Sequence, residues 1–406
     1  MSQEAATGPL RGIKVIEVAA WAAGPMAGGI MADWGADVIK IEPLDGDPYR
    51  ALNIQPGRRP EGMINHNFFV ANRNKRSVAI DLKNEHGLKL AYDLIAKADV
   101  FVTNIRRQAL ERLKIHYAHL HAMFPRLVYC HLTGYGLEGP DVDRPAYDIG
   151  AFFARAGVGA TLLTEEVEPL MRTGAFGDYY TAFATASGAC AALVGRQFTG
   201  EGQLVSTSLL RTGAFCVSHS FNQMMFGYPP SGQRSRTQSF NPMIGCYRDS
   251  NRKWFYLLGL QGDRIWPAVC RSIGRAELEK DPRYDSLGAR TKNAGELMAL
   301  LDEEFAKRPL AQWAEIFDRE GVWWCPVQNV SEALKDPQMR AAGAFAKIDT
   351  PEGEREIVPA PVDFDRTPWN IRSCSPELGQ HTEDVLLEMG RTWEDIARLK
   401  EQGAIG

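Results

Sequence analysis

At 406 residues and 45% apolar composition, the chain can form two or three domains with full hydrophobic cores. A formal charge of -4 leaves no basic excess, which argues against a nucleic-acid surface but allows a local basic pocket. The opening MSQEAATGPLRG lacks an apolar signal segment, and no run of about 18 uncharged apolar residues follows, so a cytoplasmic protein with no membrane contact is expected.

Residues 12–20, GIKVIEVAA, form a β-branched run suited to a buried strand. A helix-like MAGGIMADWG and a second strand at residues 37–42, DVIKIE, complete a βαβ unit and predict a parallel sheet. The turn between them carries Gly24, Gly28 and Gly29 but no G-x-G-x-x-G, and no G-x-x-x-x-G-K-[ST] occurs, which argues against nicotinamide and ATP enzymes. Residues 72–83, NRNKRSVAIDLK, set basic residues before a third strand. An amphipathic helix over 85–97 and a strand over 99–103 follow, and then NIRRQALERL. Lys75, Arg76, Arg106, Arg107 and Arg112 suit either solvated surface charge or a ligand with several phosphates at successive strand edges.

His116, His119 and His121 lie where a helix runs into a proline turn, a segment without the further ligands a metal site needs. The seven cysteines have no CxxC spacing and fit reduced thiols. Residues 127–132, LVYCHL, predict another strand, and the long Gly- and Pro-rich loop TGYGLEGPDVDRPAYD after it is of the kind that lines sites.

The stretch over 171–193 centres on Asp178. Gly174 and Gly177 precede it as turn residues, and a helix rich in Ala and Gly follows, able to pack closely on other backbone. Asp178 fits two roles: an N-cap of that helix, or a nucleophile whose anion the helix N-terminus favours. A strand at 204–208 and a helix over 209–226 complete this half. Residues 228–241 form a polar linker or flap, and a hairpin at 246–258 with helices at 263–273, 293–307 and 310–320 opens a second domain. The predicted division is a large domain over 1–225, a small domain over 226–335, and a return over 336–406 ending in a helical pair. Phe152, Phe153, Tyr179, Tyr180, Met224, Met225, Trp323 and Trp324 are either an apolar acyl pocket or ordinary core aromatics.

LRGIKVIEVAAWAAGP, ADWGADVIKIEP, GDPYR, NRNKRSVAIDLK, NIRRQALERL, LTGYGLEGP, RQFTGEGQLVSTSLL and PELGQHTEDVLLEMG follow one another in an order and spacing that runs nearly end to end. In these pieces the chain resembles the class III CoA-transferases of CaiB/BaiF type, which include formyl-CoA transferase and the related 2-methylacyl-CoA racemases. The resemblance implies an α/β fold: a Rossmann-like parallel sheet in a large domain built from both chain ends, a smaller α+β domain, and an intertwined homodimer. It implies that Asp178 is the nucleophile and that CoA contacts fall on Ala22, Ala23, Lys83, Asn104 and Arg112. It also implies that Tyr147 and Asp148 line the site. No tightly bound cofactor and no metal are implied; coenzyme A esters and carboxylic acids are the substrates. Formyl-CoA transferase has Gln at Ala22, which here stands beside Trp21, and a four-glycine flap where this chain has QRSRTQSFN. Both differences argue against a tiny polar acyl group. The family's NFRPG reads NIRRQ.

Transfer of CoA between acids exchanges one thioester for another and needs only a carboxylate to carry the acyl group. At an ordinary pKa of about 3.9, Asp178 is expected to be ionised at neutral pH. The racemase branch places a His where this chain has Tyr147, and a phenol of pKa about 10 is a poor base, which favours transfer over racemisation. A racemase and a non-catalytic CoA-ester-binding protein are the alternatives. For Asp148, lining the site and capping the helix that starts at IGAFFARAG are both open.

Overall fold

The computed structural model describes residues 6–52, 65–162, 174–228 and 239–406. Six strands, β1 (Lys14–Val18), β2 (Asp37–Glu42), β3 (Lys75–Ala79), β4 (Val100–Thr103), β5 (Val128–Thr133) and β6 (Leu204–Ser208), make one sheet ordered β3-β2-β1-β4-β5-β6. Every pairing is parallel, with Val15 opposite Val38 on one side and Val100 on the other. The α/β reading with a Rossmann-like sheet therefore holds.

Side chains alternate across a strand, and here the alternation splits the apolar residues between two cores. Val15, Val38, Val100 and Val102 enter one core, while Ile16, Ile39 and Phe101 enter the other. The first core lies under helices Ala23–Asp33 and Phe176–Thr199. The second helix buries Ala182, Ala186, Ala189 and Ala192, a stripe at helical spacing whose small side chains let the two helices approach closely. The second core is closed by helices Glu85–Ile95, Tyr117–Met123, Thr382–Glu388 and Trp393–Glu401.

The chain's return differs from the expectation of a sheet built from both ends. All six strands lie within the first 208 residues. The C-terminal segment instead brings Val385, Leu386, Ile396 and Ile405 into the second core and makes a single antiparallel bridge from Ile405 to Ile80. Its PELGQHTED stretch is held by hydrogen bonds, the N–H of Ser77 donating to His381 Nδ1 at 3.2 Å and that of Ala79 to Thr382 Oγ1 at 3.1 Å.

This first unit comprises the described residues up to 162, 174–222 and 340–406, and a second unit comprises 223–228 and 239–339. The second unit has an antiparallel sheet of β7 (Ile244–Arg248), β8 (Trp254–Leu258) and β9 (Trp324–Pro326), packed on a core that includes Tyr247, Phe255, Trp266, Phe305 and Phe317. A further hairpin in the first unit, β10 (Ala346–Thr350) with β11 (Gly353–Ile357), had no apolar run to announce it. Most of the expected flap, residues 229–238, lies outside the described residues, as do Met171, Arg172 and Thr173.

Candidate active site

Strand order reverses between β1 and β4. In open α/β sheets ligands bind beyond the carboxyl ends of the strands at such a point. The loops leaving β1 and β4 are tied there by one side chain: Asn104 Oδ1 accepts from Ala20 N–H at 3.0 Å, and its Nδ2 donates to Ala20 O at 2.7 Å. Asn104 thus lines the cleft while its amide clasps the loop.

Below the loop lies a buried charge network on β1, β2 and β3. Lys40 Nζ meets Glu17 Oε1 at 2.9 Å, Asp47 Oδ2 at 3.0 Å and Ala19 O at 2.7 Å. Lys75 Nζ meets Glu17 Oε2 at 2.7 Å, Pro25 O at 2.6 Å and Asn72 Oδ1 at 2.9 Å. Burial opposes the Glu17 anion, but the two ammonium groups outweigh it and hold its pKa below the carboxylate range. Burial likewise opposes the Lys40 cation, and Glu17, Asp47 and Glu42 together raise its pKa. At Lys75 burial wins over Glu17 and lowers the ammonium to about 8. Asp47 carries the network outward, its Oδ1 accepting from the N–H of Trp21 at 3.1 Å and of Tyr49 at 2.9 Å.

The first basic cluster is consequently structural rather than a phosphate site. Lys75 is buried on Glu17, Arg73 is buried on Asp33, and Arg76 bridges Asp37 and Glu388. The second cluster behaves differently. Arg106 and Arg107 line a cleft of about 430 Å³ together with Ala22, Ala23, Asn104, Tyr147 and Asp178. Arg144, from the long loop after β5, is a third cation there and was missed in the sequence, although its loop was not. Lys83 and Arg112 do not line this cleft: Lys83 is exposed in the turn after β3, and Arg112 is exposed at the end of helix Arg107–Arg112.

Asp178 is the third residue of helix Phe176–Thr199, whose N-cap is Ala175 with a left-handed φ of 56° and no side-chain cap. It is therefore not the cap of its helix. That role is taken from outside, because Asp148 Oδ2 accepts from Gly177 N–H at 3.3 Å. Asp148 makes no capping bond to its own segment, the π-type turn Ile149–Arg155. Gly177 has to be glycine, since a Cβ there would stand 2.5 Å from the Phe152 ring. Gly134 is equally constrained, its absent Cβ leaving room for the Ala146 methyl that carries the chain into Tyr147.

The expectation that Asp178 is ionised like a free carboxylate is corrected by its surroundings. Burial, and secondarily the Asp148 charge, push its pKa up to about 7. A helix N-terminus favours an anion by only about 0.3–1 kcal/mol, less than removing a carboxylate from water costs. Of the aromatics noted in the sequence, Phe152 and Phe153 are core, Met224 and Met225 are exposed, and none of the eight lines the cleft. His116, His119 and His121 do not line it, His119 Nε2 lying 3.1 Å from Tyr92 Oη and His121 stacking on Tyr117, whereas His131 on β5 does. Among the described residues no group of three or more His, Cys, Asp or Glu side chains could hold a metal ion.

Comparison with known proteins places this arrangement. The sequence pattern of CoA-transferase family III matches residues 10–382. The (R)-2-hydroxy-4-methylpentanoate CoA-transferase of Clostridioides difficile is 30% identical over 397 residues, 98% of this chain and 99% of that protein. The cinnamoyl-CoA:phenyllactate CoA-transferase of Clostridium sporogenes is 31% identical over 402 residues, 97% of each. The succinate–glutarate CoA-transferase of Agrobacterium fabrum is 30% identical over 391 residues, 94% of this chain and 96% of that one. Among solved structures, a CAIB/BAIF family protein from Brucella suis superposes with a TM-score of 0.80 at 30% identity, covering 94% of this chain and 100% of its own.

Proposed function

Because the chain belongs to CoA-transferase family III, we propose that it moves CoA from an acyl-CoA to a carboxylic acid by way of Asp178. One observation carries this reading: Asp178 is the carboxylate that lines the cleft at the sheet's switch point, together with Tyr147.

The Asp178 carboxylate attacks the thioester carbonyl, giving an acyl-aspartyl anhydride and CoA thiolate. Thiolate then attacks the aspartyl carbonyl, which forms an aspartyl-CoA thioester and releases the donor acid. The acceptor carboxylate attacks that thioester, again expelling thiolate, and thiolate attack on the acceptor's carbonyl gives the new acyl-CoA and free Asp178. Bonds made and broken balance without ATP, metal or a net proton. The ionised form is the nucleophile, and the burial that raises its pKa to about 7 also leaves the anion poorly solvated and more basic. Backbone N–H groups of the glycine turns are suited to the oxyanions.

Arg106, Arg107 and Arg144 are the cations suited to the CoA phosphates, with Ala22 and Ala23 offering backbone to the pantetheine arm. Arg112 and Lys83, exposed outside the cleft, suit the far end of a ligand longer than the cleft. Tyr147 gives no base for the α-carbon chemistry of a racemase. Exposed rings such as Phe198 and Phe215, 85% and 69% accessible, support a homodimer, which sedimentation at micromolar concentration would reveal and a stable folded monomer would contradict. No helix among the described residues is long and apolar enough to cross a membrane.

A screen of acceptor acids against succinyl-CoA and acetyl-CoA, read by mass spectrometry, tests the reaction. New acyl-CoA formed without ATP supports it. Deuterium exchange at the α-carbon of a single CoA ester, with no acceptor present and no transfer in the screen, would favour racemisation instead.

A further inference from the structure

The cleft that holds Asp178 has an aromatic wall with its own construction. Trp21 sits in left-handed backbone, φ 66°, which a bulky side chain adopts only when its surroundings enforce it. The enforcement is visible: Asp47 Oδ1 takes the Trp21 N–H, and Lys40 fixes Asp47 from below in a network sealed from water. The strained turn throws the indole out beyond β1, where it remains 37% exposed and meets Tyr147 edge-on, ring centroids 6.2 Å apart and planes at 89°. Tyr49 supports the indole from the buried side at 6.3 Å. Two aromatic faces thus stand in the same cleft as Asp178.

Arg106, Arg107 and Arg144 line the same cleft, but at Asp178 itself burial and Asp148 raise the pKa and no cation among the described residues offsets them. The Tyr49 phenol is pushed well above its ordinary range by burial and then by Tyr179, Asp178, Asp47 and Asp148, so three carboxylates converge on it. Asp47 is matched by Lys40, but among the described residues neither Asp148 nor Asp178 has a Lys or Arg partner. An acyl group bearing a second carboxylate would bring another negative charge beside them. A flat or branched apolar group would instead cover the two rings.

We propose that Trp21 and Tyr147 form the acyl-selecting wall, and that the enzyme acts on monocarboxylic acids with an aromatic or branched apolar side chain in preference to dicarboxylic acids. This rests on the CoA-transfer reading above and adds the substrate class to it.

The test compares acceptor acids against one donor, acetyl-CoA, with phenylpropanoate and 4-methylpentanoate on one side and succinate and glutarate on the other. In the wild-type enzyme kcat/KM for the apolar acids should exceed that for the dicarboxylic acids by about tenfold or more, the scale of an apolar pocket's discrimination. Trp21→Gly, which keeps the backbone conformation while removing the ring, should bring the ratio to within about threefold, and Tyr147→Ala should move it the same way. Tyr147→Ala is an independent arm should the Trp21 variant fail to fold. A wild-type preference for dicarboxylic acids overturns the proposal while leaving CoA transfer intact. A ratio unmoved in both variants removes the wall from its assigned role. Absence of transfer to any acid overturns the CoA-transfer reading itself.

Discussion

The Asp148 carboxylate accepts the backbone N–H of Gly177 at 3.3 Å, one residue ahead of Asp178, so one acid both caps the helix of the other and raises its pKa. The two effects separate by substitution. Asp148→Asn keeps an oxygen acceptor and removes the charge, so the acid limb of the rate profile should move to lower pH by about half a unit to one unit. Asp148→Ala also loses the cap and should lower stability by about 1 kcal/mol in denaturant melts. An unmoved profile in Asp148→Asn would show that burial alone sets the Asp178 pKa.

With Asp178 near 7, transfer should rise through neutral pH, losing about tenfold per unit on the acid side as the nucleophile is protonated. Stability runs the other way. The folded pKa lies above the unfolded value of about 3.9, so the group's stabilising contribution is full below that value and is lost as pH rises through 7. Asp178→Asn removes the penalty of a buried anion and should be more stable than wild type by about 1–2 kcal/mol at pH 8, with little difference near pH 4. Urea unfolding at the two pH values measures both.

Lys40→Met should be among the most damaging single changes. It leaves Asp47 without its cation and strips one of two ammonium groups from Glu17, deep in the sheet. Breaking a buried pair from one side costs about 3–5 kcal/mol. The loss should appear as a lower Tm and, because Asp47 holds the Trp21 turn, as a raised KM in whatever enzyme still folds.

Arg106→Ala and Arg144→Ala should each raise KM for the acyl-CoA by about tenfold with a smaller effect on kcat, since charge contacts to the CoA phosphates act alike on ground and transition states. Arg112→Ala should do less than either, as it lies outside the cleft. Equal losses in kcat and kcat/KM would place these side chains at the reacting carbonyl instead.

The βαβ start was legible because Val15, Ile16 and Val18 are apolar on both faces, as a central parallel strand requires. The missing nucleotide fingerprints and the long loop before Tyr147 were equally plain. Partnership was not. Lys75, on β3, reads as free charge until the sheet brings Glu17 of β1, 58 positions away and across β2, to 2.7 Å. Asn104 was legible as a site residue, but its clasp on Ala20 was not. At Asp178 the local sequence favoured a plain cap; the resemblance turned the reading to a nucleophile, and the structure gave the cap to Asp148. Its raised pKa depends on burial assembled from distant segments, which no local pattern encodes. The β10–β11 hairpin escaped notice because KIDTPEGEREI carries few apolar residues to alternate.

The central claim is that Asp178 carries the acyl group or the CoA in a covalent bond. The direct measurement is to incubate the enzyme with an acyl-CoA and no acceptor, digest it, and weigh the peptide containing Gly177, Asp178 and Tyr179. The account predicts a mass increase of acyl or CoA on that peptide, released by hydroxylamine, and none in Asp178→Asn, which should still fold and bind CoA esters but transfer nothing. An Asp178→Asn enzyme that still transfers CoA, or a wild-type enzyme that transfers without ever forming the adduct, would contradict it.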